Sequence, residues 1–389
     1  MGGEPDRPLA DAVARLHRAN AERLASHPLA LVTVTTHDTK RSADARARLD
    51  ALSELAPRWR RLVARWRTRH AELRGPVDGR PGRAPDPGTE LLLYQTLVAV
   101  WPAEGQGDGG PASAELVERV QGYLMKAARE AKQYTTWTTV RDEYEGAVRA
   151  FTDALLTSDA GAEFRRELST LVRRVAAAGA WSSLARTLLH LAAPGTPDVY
   201  QGDELWLLAL VDPDNRRPVD WAARAALVTE AERADDAGDD GEAGWWDAAL
   251  AGAPASPGAV KLRLLRRLLL ARRRDPALFV EGAYVALTAT GARSAHVAAF
   301  ARTHGDGAAM RAAVAVAPRL VLGLAPDGAP PVGGRWDDTR LALPPALAGM
   351  RWTDVVTGRT IAPNPDGALR LADVLSAAPV ALLTSDATR

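Results

Sequence analysis

Ahead of residue 280 the chain has two runs that read as β-strands, LALVTVT at 29–35 and DVYQG at 198–202. Almost everything between them is helical in pattern. Helical spacing opens at 11–26, where Val13, Leu16, Ala19 and Leu24 fall near one face. It resumes at 42–73 with an interruption around Pro57, and again from Glu115, Arg141 and Glu163. An apolar helix at 181–193 stops at PGTP, just before the second strand. Stretches rich in Pro and Gly at 75–88 and 102–113 read as loops, as does the acidic run ERADDAGDDGEAG from Glu232. Strand, helices, strand, helix is the order of the last two units of a (β/α)8 TIM barrel, with 42–179 as a large helical insertion. After Pro276 the pattern changes to short runs (AYVALTATG, AHVAAFART, AAVAVAPRLV, LRLADV, VALLTS) separated by Gly, Pro and Asp turns. The expectation is α/β plus β: the C-terminal part of a barrel over 1–280, then an antiparallel β-sandwich domain over 281–389. Two strands cannot close a barrel. The remaining strands are expected from elsewhere or from residues upstream.

Composition removes several classes of function. Forty-nine basic residues stand against 48 acidic ones, a net charge of +1. A nucleic-acid binder needs a basic surplus to displace counterions, so none is expected here. There is no cysteine, which excludes disulfides, thiolate nucleophiles and Cys-based zinc sites. The start, MGGEPDRPLADAV, does not read as a signal peptide, and Asp6 replaces the Ser or Thr that myristoylation requires. No apolar stretch approaches the roughly 20 residues needed to span a bilayer. A soluble cytoplasmic protein that binds no membrane is expected. In the helix AVKLRLLRRLLLARRR, six leucines make a wide apolar face, and the arginines are expected along a solvated edge. No histidine pair has metal-ligand spacing and no P-loop or dinucleotide fingerprint occurs, so neither metal nor cofactor is expected.

Chemistry in a barrel enzyme gathers just past the carboxyl ends of the strands. Thr36, His37 and Asp38 follow the first strand run; Asp198, Gln201, Asp203 and Glu204 occupy the corresponding region of the second. Asp38 reads equally as an acid of the site and as a cap on the next helix. Gln201 and Asp203 read as sugar-positioning groups or as strand-end caps. DPDNRRP at 212–218 reads as a salt-bridged turn or as hydroxyl-binding groups, and Trp137 as core or as a ring platform.

The segment TTHDTKRSADARARLDALSE resembles the region of the maltooligosyltrehalose synthases that carries the fourth conserved motif of the α-amylase superfamily (glycoside hydrolase family 13). The likeness continues, in colinear order, through YQTLVAVWP, YLMKAAREAKQYTTW, APGTPDVYQGDELWLLALVDPDNRRPVDW and RRLLLARRRDPALF. Ala43 stands where the family commonly has an acidic residue, and Tyr134 where a histidine is more usual. The resemblance implies an intramolecular transglucosylation on a maltooligosaccharide, moving the reducing-end α-1,4 bond to an α,α-1,1 bond. It implies that Asp38 is the third catalytic carboxylate, holding two hydroxyls of the distorted sugar, with His37 bonded to the same sugar. Lys40 and Arg41 would begin a lid that excludes water. Lys132 and Trp137 would face the reducing-end glucose. Gln201, Asp203, Asp212, Asp214, Asn215 and Arg216 would bind hydroxyls. Retaining glycosidases need two further carboxyls about 5–5.5 Å apart. In the superfamily these sit in an Arg-x-Asp context and on a separate Glu, and neither context occurs before Thr33. A preceding half or a separate upstream chain is therefore expected to supply them. The alternative is an inactive fragment that at most binds maltooligosaccharides.

Overall fold

The computed structural model describes residues 12–76, 82–103, 109–236 and 258–385. The N-terminal leader readings and most of the acidic run after Glu232 lie outside these residues. The described residues divide into two compact units. One draws on Met1–Val34, Ala180–Trp206 and Val219–Arg389; the other on Thr35–Gly179 and Leu207–Pro218. The first unit thus holds residues from both sides of position 280.

In the first unit, helix α1 (Ala12–Ser26) leads into strand β1 (Leu31–Thr33), which pairs in parallel with β4 (Thr196–Asp198). Both strands are shorter than their sequence runs, and the second is displaced. DVYQG does not form the strand; Thr196 and Pro197 do, with only Asp198 shared. Thr196 donates its N–H to Ala30 O, so the next residue directs its nitrogen away from β1. A proline, which has no N–H, fits there without losing a ladder bond. β1 is not the buried strand its composition suggests, since Leu29 and Leu31 are 64% and 80% exposed. An apolar strand with an open edge is a template for pairing. The purified chain is therefore expected to self-associate with rising concentration, as read by light scattering. Leu31→Lys is expected to weaken that association without shifting the melt.

Helices α8 (Trp221–Asp236) and α9 (Ala259–Arg274) follow. Of the six leucines of α9, Leu262, Leu264, Leu265 and Leu268 are buried but Leu269 is exposed, and the basic residues are not all solvated. Arg263 is fully buried, and Arg263, Arg266 and Arg267 converge on Asp235 of α8. The expected solvated edge is corrected: a carboxylate on the neighbouring helix compensates the charge that a leucine-flanked arginine carries inward. After the short helix α10 (Pro276–Val280), β5 (Ala283–Leu287), β7 (Val297–His304), β8 (Arg311–Pro318), β13 (Ala381–Ser385), β10 (Trp352–Asp354) and β11 (Thr360–Ile361) form an antiparallel sheet in that spatial order. A second sheet joins β6 (Ala289–Thr290), β9 (Arg340–Ala342) and β12 (Ala368–Arg370), also antiparallel. Val314, Val316 and Leu383 of the larger sheet share one core with Leu341 and Leu369 of the smaller and with Trp336.

The second unit is helical apart from a short antiparallel pair, β2 (Gly75–Pro76) and β3 (Arg83–Ala84). Its helices are α2 (Ala43–Asp50), α3 (Ala56–Arg69), α4 (Pro87–Val100), α5 (Ala114–Ala131), α6 (Asp142–Thr157) and the start of α7 (Ala162–Ala192). The interruption near Pro57 is a 3-10 turn over Ala51–Leu55, after which Pro57 sits in the first turn of α3, where its missing N–H is harmless. The runs at 163–179 and 181–193 form one helix. Gly179 does not break it: a Cβ there would lie 2.9 Å from Arg48 Cγ and 3.1 Å from Arg48 N, so glycine permits the close approach of α2.

An aromatic cluster fills this unit. Trp66 meets Phe164 and Tyr94 with ring centroids 4.9 and 5.2 Å apart, and His70 meets Phe164 at 5.4 Å. The Tyr94 hydroxyl donates to Glu90 Oε1 (2.7 Å), so at 3.2 Å it accepts from Nδ1 of His70. That fixes the proton on Nδ1 and leaves Nε2 bare, buried and without a hydrogen-bond partner. Burial, and then the charge of Arg69, lower the His70 pKa from 6.5 to about 4. Between those values the unfolded chain binds a proton that the folded chain excludes. The stabilisation is therefore complete above pH 6.5 and is lost as pH falls towards 4, about 3 kcal/mol in all. Urea midpoints at pH 7.5 and 5 are expected to differ more for the wild type than for His70→Gln.

Candidate functional site

Thr36 to Arg41 form a turn held at both ends. The Thr36 hydroxyl accepts the N–H groups of Asp38 and Thr39 (both 3.2 Å), and the Thr39 hydroxyl returns a bond to Thr36 O at 2.8 Å. Asn215 donates to the carbonyls of Thr36 (3.3 Å) and His37 (3.0 Å). The side chains this leaves free of the scaffold are those of His37 and Asp38, which pair with each other at 3.3 Å and are 54% and 83% exposed. Asp38 does not cap a helix. The helix that follows starts after Ser42, and its first N–H, on Ala43, goes to the Thr35 hydroxyl at 3.1 Å.

The segment from Leu207 is zipped to the start of α2. Ser42 N donates to Ala209 O (2.9 Å), Ala209 N to the Ser42 hydroxyl (3.0 Å), and Leu207 N to Asp44 Oδ2 (2.7 Å). This register carries the loop 211–217 to the His37 turn, where Asp212 N meets His37 O at 3.3 Å. Asp214 accepts from Arg119 through both oxygens (2.7 and 3.0 Å) and from Leu210 N (2.7 Å). Burial would raise its pKa, but the bonds from Arg119 and Leu210 outweigh burial and lower it. Asp212 pairs with Arg216 at 2.7 Å and lies 3.7 Å from Lys126, whose ammonium also donates to Asp212 O at 2.8 Å.

These contacts sort the residues singled out in the sequence. His37, Asp38, Lys40, Arg41, Asp212, Asp214, Asn215 and Arg216 gather in one unit around one turn. Within the group, Asp214 and Asn215, expected to bind hydroxyls, use their side chains to lock the loop. Arg41, expected to open a lid, points inward: it donates to the Thr96 hydroxyl at 2.9 Å and stacks over Tyr123 at 5.4 Å, and burial lowers its pKa. Lys40 pairs with Glu130 at 2.8 Å on the surface. Lys132 is exposed at the left-handed end of α5, and Trp137 is 56% exposed with the Arg129 guanidinium 5.0 Å from its ring. Trp137 is thus not core. Gln201 and Asp203 belong to the other unit, the first exposed and the second buried 4.0 Å from Lys261.

Sequence reasoning missed Arg119, Lys126 and Glu130. Their signal is the spacing of charges at 115, 119, 126 and 130 along α5, a stripe that runs beside the buried Leu116, Val120, Tyr123 and Leu124. Among the described residues no group of three or more His, Asp or Glu side chains is placed to hold a metal ion, and no helix is long and apolar enough to cross a membrane.

No protein-family model matches the chain. A putative maltooligosyl trehalose synthase of Mycobacterium tuberculosis (strain ATCC 25618 / H37Rv) is 34% identical over 386 residues, covering 99% of this chain and 41% of that protein. The structure of maltooligosyltrehalose synthase from Arthrobacter ramosus superposes with a TM-score of 0.72 at 36% identity, over 96% of this chain and 41% of the other. The chain is similar to part of a maltooligosyltrehalose synthase. It spans about two fifths of the length of these synthases. A hypothetical maltooligosyl trehalose synthase of Sulfolobus tokodaii, at 23% identity and a TM-score of 0.62, shares the fold. With these synthases the chain shares a mixed α/β architecture, a helical part and a sheet-rich part.

Proposed function

We propose that this chain is the C-terminal portion of a maltooligosyltrehalose synthase and carries its third catalytic carboxylate, Asp38. On this reading β1 and β4, parallel neighbours joined by a long helical crossover, are the last two strands of a (β/α)8 barrel of the α-amylase superfamily. The sheets that follow form its β-sandwich. The nucleophile and the acid/base lie in the part of the enzyme beyond these 389 residues. The location is cytoplasmic, which suits a chain without cysteine.

The observation that carries the proposal is the exposed Asp38 carboxylate on a turn whose backbone is locked. An ionised carboxylate accepts two hydrogen bonds at once, which suits adjacent hydroxyls of one pyranose. As the ring flattens toward an oxocarbenium ion those bonds tighten, so they stabilise the transition state more than the bound sugar. His37, beside it, reaches the same ring. Cleavage of the α-1,4 bond leaves a glycosyl-enzyme on the nucleophile. The released glucose is held, turns, and attacks the glycosyl carbon through its own anomeric hydroxyl, giving its proton to the acid/base and freeing the nucleophile. Water must be excluded meanwhile, and the helical residues 42–179 supply the cover.

Incubation with maltopentaose tests this. Joined to the remainder of the enzyme, the chain is expected to remove reducing ends without matching release of glucose. Alone, it is expected to leave the sugar unchanged. Stoichiometric glucose release from the joined protein would make it a hydrolase, and isomerisation by the chain alone would refute the division of carboxylates.

A further inference from the structure

Along α5 a cleft of about 430 Å³ runs against the loop 211–217. Its floor includes Gly122, Tyr123, Val211 and Pro213. Gly122 lies in mid-helix, where glycine is disfavoured by about 1 kcal/mol relative to alanine. Neither usual reason for a helical glycine applies. Its φ is not positive, and among the described residues nothing lies within 4 Å of an added Cβ. The effect of the missing side chain is to keep the cleft open.

The walls are charged but balanced. Glu115, Glu118, Asp212 and Asp214 face Arg119, Lys126 and Arg217. Most are mutually paired: Arg119 with Asp214 at 2.7 Å, Arg217 with Glu115 at 2.8 Å, Lys126 with Asp212 at 3.7 Å. Four carboxylates against three cations attract neither an anion nor a cation strongly. They do offer donors and acceptors in alternation beside an apolar floor. That combination fits a neutral polyol ring with one C–H face and a rim of hydroxyls. The volume is within the range of small-molecule sites.

We propose that this cleft is an accessory pyranose site, which holds a glucosyl unit of a maltooligosaccharide apart from the sugar at Asp38. The identification of the ring as glucosyl rests on the function proposed above. The loop links the two places, since Asp212 lines the cleft and bonds His37 O through its backbone.

The test is a calorimetric titration of the 389-residue chain with maltopentaose, with inorganic phosphate as the charged control. Gly122→Leu fills the cleft and favours the helix, so its melt is expected to hold or rise while its affinity falls at least tenfold. Glu118→Ala, on the exposed rim, is expected to weaken binding several-fold, and carries the test if the leucine variant does not fold. Asp38→Asn is expected to leave this binding in place. Unchanged affinity in both cleft variants, preference for phosphate, or no binding by the wild type would each overturn the site. The maltopentaose isomerisation assay on the joined protein is independent of it, so failure of the proposed function shows there instead.

Discussion

Asp38→Asn in the joined, active protein is expected to lower turnover by about 10³-fold, roughly 4 kcal/mol of lost transition-state stabilisation. The substitution keeps size and one acceptor oxygen but removes the charge and replaces the second acceptor with a donor. Two bonds that strengthen as the sugar flattens then become one. KM is expected to move little, because the interaction belongs mainly to the transition state. The melt is also expected to stay within about 0.5 kcal/mol, since Asp38 is 83% exposed and caps no helix. Turnover that survives within a few-fold would remove Asp38 from the chemistry. The same loss of turnover accompanied by a lowered melt would make it a scaffold residue.

The residues around Asp38 show how far such a site can be read from sequence. The end of the β-branched run before His37 and Asp38 was legible, since β1 stops at Thr33 and both side chains are exposed on the turn that follows. The division of labour within 212–216 was not. Asp212 and Asp214 each pair with an arginine about one turn ahead, Arg216 and Arg217, yet Asp214 is also held by Arg119, ninety-five residues away. Long-range partners decide which carboxylate faces a ligand, and periodicity carries no information about them. The helices were legible for the opposite reason, since their apolar spacing is local. The exceptions followed tertiary demands: Gly179 stays helical because Arg48 packs on it, and Arg263 turns inward because Asp235 is there. β1 was the least legible element. A run of Leu, Val and Thr reads as buried, but burial depends on neighbours, and along this strand Leu31 has little cover.

Glu90→Ala is expected to destabilise the helical unit by about 3–5 kcal/mol, the largest effect on stability of any substitution considered. Glu90 is fully buried, and its carboxylate takes Arg74 at 2.7 Å and the Tyr94 hydroxyl at 2.7 Å, with Arg67 at 3.7 Å. Truncation leaves a half-buried guanidinium and a buried hydroxyl without their acceptor, besides opening a void. Glu90→Gln keeps the volume and one acceptor oxygen and is expected to fall between alanine and wild type. Arg74→Ala is expected to be damaging in its own right, because the buried carboxylate then loses its nearest counter-charge. The double variant Arg74→Ala, Glu90→Ala is expected to be less destabilised than the sum of the two, which separates the pair's coupling from the cavity. Urea unfolding followed by tryptophan fluorescence reads the unit through Trp66, which packs on Tyr94. The loss also has a pH signature. Without Glu90 the Tyr94 hydroxyl is free to rotate and donate to the imidazole, so Nδ1 of His70 is no longer held as the donor. The acid-dependent part of stability between pH 6.5 and 4 is then expected to persist or grow in Glu90→Ala, because a hydroxyl that donates to the imidazole favours its neutral form and Arg74, a cation that already lowers the His70 pKa, has lost its carboxylate. A diminished acid slope would mean that the Glu90–Tyr94 chain, more than burial and the neighbouring arginines, keeps His70 neutral.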